Sequence, residues 1–239
     1  MRGRAFFVLV AAMAAACSKS QSAADAGATG AAGTTGAAGT TGAAGTAPNV
    51  DAGADAAISP TFAARALEIA DQYLAWGRVD DELRWAPFLC RIPRPGVARA
   101  SESDDATTHG QKLYSVFAKN STAYPNGPHT DQVVVKQSWT AEPATGPFDP
   151  EHDRSTDGGD HFYPYAQRDG GVYRAAAPAG LYIMFKVAPA TPDTDEGWVY
   201  ATLTAAGQVT AAGRVASCMK CHEDASHERL FGVPVSPHL

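Results

Sequence analysis

The residues best equipped for chemistry are Cys218-Met219-Lys220-Cys221-His222, near the C-terminal end of a 239-residue sequence. Their C-x-x-C-H spacing is that of a c-type haem attachment site. Two thiols three positions apart can bond the two vinyl-derived carbons on one porphyrin edge. A histidine directly after the second thiol then lies beneath the ring with a nitrogen aimed at the iron. On this reading Cys218 and Cys221 are the covalent anchors and His222 is the proximal iron ligand. Two other chemistries use such a pair. A thioredoxin-like redox motif wants a βαβ context, whereas this pair follows a β-like region with no such unit around it. A tetrahedral zinc site needs four ligands, so the fold would have to bring Cys90, His227 or His222 to the pair.

Such a site has to be assembled outside the cytoplasm, and the N-terminal residues predict export. Arg2 and Arg4 precede a short apolar run from Phe6 to Ala16, too short to span a bilayer and suited to a secretory leader over residues 1–16. Cys17 follows Ala14-Ala15-Ala16. This is the pattern of a bacterial lipoprotein signal, with Cys17 as the lipidated first residue of the mature chain and its acyl chains as the membrane anchor. An ordinary cleavage site with an incidental cysteine is the alternative. The expected location is periplasmic, tethered by lipid to a bacterial membrane.

Residues 17–58 form the tether. From Ser18 onward the composition collapses to Ala, Gly and Thr, and the hexapeptide Ala31 to Gly36 recurs at Ala37 to Gly42. Such a segment lacks the large apolar groups that offset chain entropy. A random coil of about 40 residues spans roughly 35 Å, enough to hold a domain clear of a membrane surface.

One domain is expected over residues 59–239. The formal charge of −6 leaves no basic footprint for nucleic acid. Ser59 and Pro60 open a helix, with Phe62, Ala66, Ile69 and Tyr73 on one face and Gly77 as its end. The proline-rich stretch from Trp85 to Gly96 reads as an extended wrapping segment, with Cys90 a small buried hydrophobe. Strands are expected at Lys112 to Ala118, Gln132 to Trp139, Leu181 to Val187 and Trp198 to Leu203, with turns at Asn126-Gly127-Pro128 and Ala206-Gly207. The pattern predicts an α+β domain: an antiparallel β-sheet with packed helices and a C-terminal c-type haem site. That differs from the small helical bundle of an ordinary electron-transfer cytochrome c.

Several segments together resemble the cytochrome P460 family. They are Gln132-Val133-Val134-Val135-Lys136-Gln137-Ser138-Trp139, Met184-Phe185-Lys186, Thr191-Pro192-Asp193-Thr194 leading to Gly197-Trp198-Val199-Tyr200, and the haem motif followed by Asp224, Arg229, Leu230 and Phe231. The resemblance runs from His109 to Phe231. It implies a fold similar to the β-rich cytochromes c-prime, one covalently attached haem c, often a homodimer, and an iron whose distal position is open. Some members oxidise hydroxylamine or handle nitric oxide and pass electrons to a redox partner; others bind diatomic gases without turnover.

A further lysine link to the porphyrin is a feature of the catalytic members. Lys112, Lys136 and Lys186 are the candidates, and Lys136 has the better strand context. Tyr114, Phe117, Phe185 and Trp198 are candidates to line the distal pocket, while Glu196, Arg214 or Glu223 could tune charge near the haem. A sixth ligand, if there is one, would come from Met184, His109, His129, His152, His161, His227 or His238. Hydroxylamine oxidation would also want a carboxylate beside the iron, and the sequence singles none out.

Overall fold

Alternation along one strand, Trp198–Leu203, puts Trp198, Tyr200 and Thr202 on one face and Val199, Ala201 and Leu203 on the other, and all six are buried. A strand buried on both sides belongs inside a sheet that is covered on both sides. In the computed structural model, which describes residues 58–85, 95–105, 109–126, 129–146 and 162–231, this strand is β8 of a seven-stranded antiparallel sheet.

The elements before it are α1 (Pro60–Gln72), a 3-10 turn (Tyr73–Trp76), α2 (Glu82–Trp85), β1 (Gly96–Val97), β2 (Arg99–Ala100), β3 (Lys112–Ala118), α3 (Ala123–Asn126), β4 (Val133–Ala144), β5 (Phe162–Tyr163), β6 (Tyr165–Arg168) and β7 (Gly171–Lys186). After it come β9 (Val209–Gly213) and α4 (Ala216–His222). The sheet runs β2-β3-β4-β7-β8-β9, and β6 pairs with the first part of β7. A separate two-residue parallel pair joins β1 to β5.

The α+β class and the antiparallel sheet expected from the sequence are present. The bounds of β3 and β8 match, but β4 continues beyond Trp139 to Ala144, and β7 starts at Gly171, ten residues before Leu181. The added halves pair with each other across register shifts at Ser138 and Trp139. Gly180 sits at this irregularity with φ 108, and a Cβ there would lie 2.2 Å from the Leu203 carbonyl oxygen. Only glycine allows that approach. Cys90, Gly127-Pro128 and most of the proline-rich stretch lie outside the described residues, as do Cys17 and the tether.

The sheet's two faces carry different layers. Phe117, Val135, Ile183, Phe185, Val199 and Leu203 pack against Ala66 and Ile69 of α1. The start of α1 is pinned to the sheet by the Ser59 N–H, which donates to the Ala212 carbonyl at 2.9 Å. Ser59 occupies the N-cap position and Pro60 the first turn as expected, but the serine side chain makes no capping bond. The opposite face presents Val116, Val134, Met184, Trp198 and Tyr200 to Met219 of α4 and to Leu230. Lys136 stands on this second face, between Val116 of β3 and Tyr182 of β7 in the pairing register.

Candidate functional site

Helix α4 brings the motif to the sheet. The Val215 carbonyl accepts from the N–H groups of Cys218 and Met219 at 3.1 and 3.0 Å, which starts the helix directly after β9. Helical spacing then turns Met219 into the core and leaves Cys218, Cys221 and His222 at positions i, i+3 and i+4 on one side. Both cysteines are free thiols, Cys218 half-buried and Cys221 exposed. Burial pushes the Cys218 thiol up to about 11. A redox-active C-x-x-C does the opposite, holding its thiol low as a ready thiolate. Among the described residues, no group of three or more His, Cys, Asp or Glu side chains gathers as a zinc site requires.

His222 is held through one ring nitrogen. Its Nδ1 lies 2.6 Å from the Arg229 carbonyl oxygen, a bond that Nδ1–H donates and that leaves the Nε2 lone pair for a metal. Burial lowers its pKa against the pull of that carbonyl, which favours the neutral imidazole. The ring lies between Tyr200 and Phe231, with centroids 5.6 and 5.2 Å away. This donor set fits an iron porphyrin: two thiols on one helix edge, and a neutral histidine with its second nitrogen already engaged.

The same cavity receives Lys136, His109, Tyr114, Tyr182 and Met184 from the sheet side. It encloses about 150 Å³, and Phe231 in its lining is 59% exposed. Lys136 Nζ is 3.1 Å from His109 Nδ1 and 3.7 Å from the centre of the Tyr114 ring. Burial, and then the charge of Lys112, lower its pKa to about 7. The amine is therefore partly unprotonated near neutrality, which makes it a nucleophile. Burial and the Lys136 charge together lower His109 to about 3 and keep it neutral.

The other candidate lysines do not line the cavity. Lys112 donates at 3.2 Å to the hydroxyl of Tyr182, which does line it. Lys186 lies over the Trp198 ring at 4.9 Å in a separate cleft shared with His129 and Glu228. Of the expected pocket aromatics, Tyr114 lines the cavity. Phe117 and Phe185 do not: they stand on the other face, edge-on to Tyr73 and Phe62, because neighbouring strand residues alternate sides. Trp198 is on the cavity side of the sheet but lines the Lys186 cleft. Glu196, Arg214 and Glu223 are exposed and reach no part of the cavity lining.

Among the possible sixth ligands, His109 and Met184 line the cavity, whereas His129 faces Glu228 and His227 is exposed in the terminal turn. His152, His161 and His238 lie outside the described residues. Sequence reasoning missed Tyr182, which could have been placed by its period-two spacing from Met184. It also missed Asp195, whose buried carboxylate accepts from the Tyr200 hydroxyl at 2.8 Å. Burial pushes Asp195 up, but the bonds from Arg229 and Tyr200 outweigh this and hold it below the usual carboxylate range. In comparisons with known proteins, no family model matches the chain and no curated protein sequence does.

Proposed function

We propose that the chain is a mono-haem c-type cytochrome of the kind its sequence resembles, cytochrome P460, working on a small nitrogen-containing ligand. One observation carries this reading: Lys136 from the middle of the sheet lines the same cavity as Cys218 and His222 of α4. Nothing in the spacing of a C-x-x-C-H motif requires a buried lysine beside it, whereas a haem held by two cysteines and a lysine does.

When bound, the haem supplies an iron with an axial position for a small ligand and one-electron chemistry. The residues do the rest. The thiols of Cys218 and Cys221 would hold the haem covalently, each adding across one vinyl group with its hydrogen going to the second vinyl carbon and no net oxidation. His222 would ligate the iron through Nε2, since its Nδ1–H is engaged by the Arg229 carbonyl. A Lys136 link would replace a ring C–H by C–N, with two electrons and two protons leaving to an oxidant of the peroxide class.

The lining favours an uncharged diatomic ligand such as nitric oxide. Tyr114, Val116, Val134 and Met184 supply aromatic and apolar surface, and among the described lining residues there is no Asp or Glu to take protons from hydroxylamine. His109, at about 3, is a weak base. Hydroxylamine oxidation is the second reading, favoured by Lys136 lining the cavity that also holds Cys218 and His222, within which a third link of the catalytic members' kind could form. In either case export, lipid tethering through Cys17 and an electron-accepting partner complete the proposal.

Absorption and resonance Raman spectra of the ferrous protein, before and after nitric oxide, combined with anaerobic hydroxylamine turnover using an artificial acceptor, test this. Reversible nitric oxide binding without turnover supports the first reading, and turnover supports the second. A six-coordinate ferrous haem that excludes nitric oxide would defeat both and leave a simple electron carrier.

A further inference from the structure

The segment that holds His222 is built on an unusual turn. His227 and Leu230 exchange backbone bonds at 3.3 and 3.0 Å, and the two residues between them, Glu228 and Arg229, have φ of 46 and 74. Left-handed backbone at both central positions is the geometry that tight hairpins normally give to Asn-Gly. Here two side-chain-bearing residues adopt it, and each is held from outside. The Glu228 carboxylate lies 3.4 Å from His129 Nδ1 and 3.8 Å from Lys186 Nζ. Arg229 places Nε and Nη2 on the two oxygens of Asp195 at 2.8 and 3.0 Å, a forked pair.

Asp195 is in turn a fixed point. Its N–H and carbonyl exchange bonds with Trp198 at 2.8 Å each, at the entry to β8, and it accepts from the Tyr200 hydroxyl. Only 5% of it is exposed. A continuous set of contacts therefore runs from the rigid sheet through Asp195 to the Arg229 guanidinium, and from the Arg229 carbonyl to His222 Nδ1.

We propose that Asp195 is a positioning residue for the iron ligand: by fixing Arg229 in a left-handed turn, it aims the carbonyl that holds His222 and sets how strongly Nε2 donates. This rests on His222 being the proximal ligand. A bond from Nδ1–H to a fixed acceptor orients the ring and raises its basicity, so loosening the acceptor should weaken donation and favour ferrous over ferric iron.

The test uses the haem-loaded protein with Asp195→Asn, Arg229→Lys and Arg229→Gly. Arg229→Gly keeps the carbonyl and suits the left-handed turn while removing the fork to Asp195 together with the guanidinium charge and its 3.7 Å approach to Glu196. Loss of a positive charge by itself would favour ferric iron, so the variant remains informative if Asp195→Asn folds poorly. With covalent haem verified by mass, Arg229→Gly and Asp195→Asn should shift the ferric/ferrous equilibrium about tenfold toward ferrous, ~59 mV upward in midpoint potential. The iron–histidine stretching band should fall in frequency. Arg229→Lys, which keeps a charge without the fork, should lie between. A folded, haem-bearing Arg229→Gly protein with the parent potential and an unmoved band would overturn the proposal, because the turn alone would then aim the carbonyl. A parent protein without covalent haem would instead overturn the reading of His222, and the proposal with it.

Discussion

Replacing Lys136 by methionine tests the chemistry of the cavity without any haem. Methionine keeps the length and apolar stem and removes the amine. In the folded chain Lys136 titrates at about 7, against 10.5 for an ordinary lysine. Below about pH 7 both folded and unfolded chains hold the proton, and the folded state carries the full cost of the buried charge. Between pH 7 and 10.5 the unfolded chain alone holds it, so stability rises with pH across that window. From pH 7 to 9.5 the rise is worth about 3 kcal/mol, at about 1.4 kcal/mol per pH unit. Lys136→Met should remove that part of the slope, making the variant more stable than the parent by several kcal/mol near pH 7, with the gap closing by pH 10. Cys218 and the tyrosines titrate in both chains and cancel in the difference, while the Lys112–Lys136 repulsion disappears with the amine and counts as part of its cost. Guanidinium denaturation of the haem-free proteins at pH 7, 8 and 9.5, followed by circular dichroism, gives the two slopes. Equal slopes would refute the description of Lys136 as a desolvated amine, and with it the case for its nucleophilicity.

Ile69→Ala should cost about 2–5 kcal/mol in denaturation midpoint terms yet leave the ferrous nitric oxide spectrum unchanged, because α1 covers the face away from the cavity. Met184→Leu, a volume-conserving change, should leave the ferrous coordination number as in the parent. A drop from six to five ligands by resonance Raman would identify Met184 as an axial ligand and support an electron carrier. Gly180→Ala should destabilise the folded chain by about 1–3 kcal/mol or more, seen as a lower melting temperature, since its Cβ would collide with the Leu203 carbonyl.

Much of the fold was legible where local chemistry and final context agree. Lys112–Ala118 and Trp198–Leu203 are rich in aromatic and β-branched residues, and both form strands with the expected bounds. The first half of β7 was not, because Ala175-Ala176-Ala177-Pro178-Ala179-Gly180 has little strand preference of its own; pairing with β4 and β6 imposes the conformation. The same holds for the two-residue β1 and β2. Assigning Phe117 and Phe185 to the pocket failed for another reason. In strands buried on both sides, apolar character does not distinguish the faces, and only the register to Lys136 does. The C-x-x-C-H spacing was readable from five consecutive residues, but Asp195 was not: its place beside the motif depends on Arg229 reaching it across 34 positions.

The central claim is that Cys218, Cys221 and Lys136 surround one covalently held haem. Proteolysis and haem-peptide mass mapping of protein matured in a c-type cytochrome-producing host test it most directly. One haem joining the peptide that contains Cys218 and Cys221 to the peptide that contains Lys136 is the expected product. A haem on the two cysteines alone would remove Lys136 from the account, and cysteines carrying no haem at all would contradict it outright.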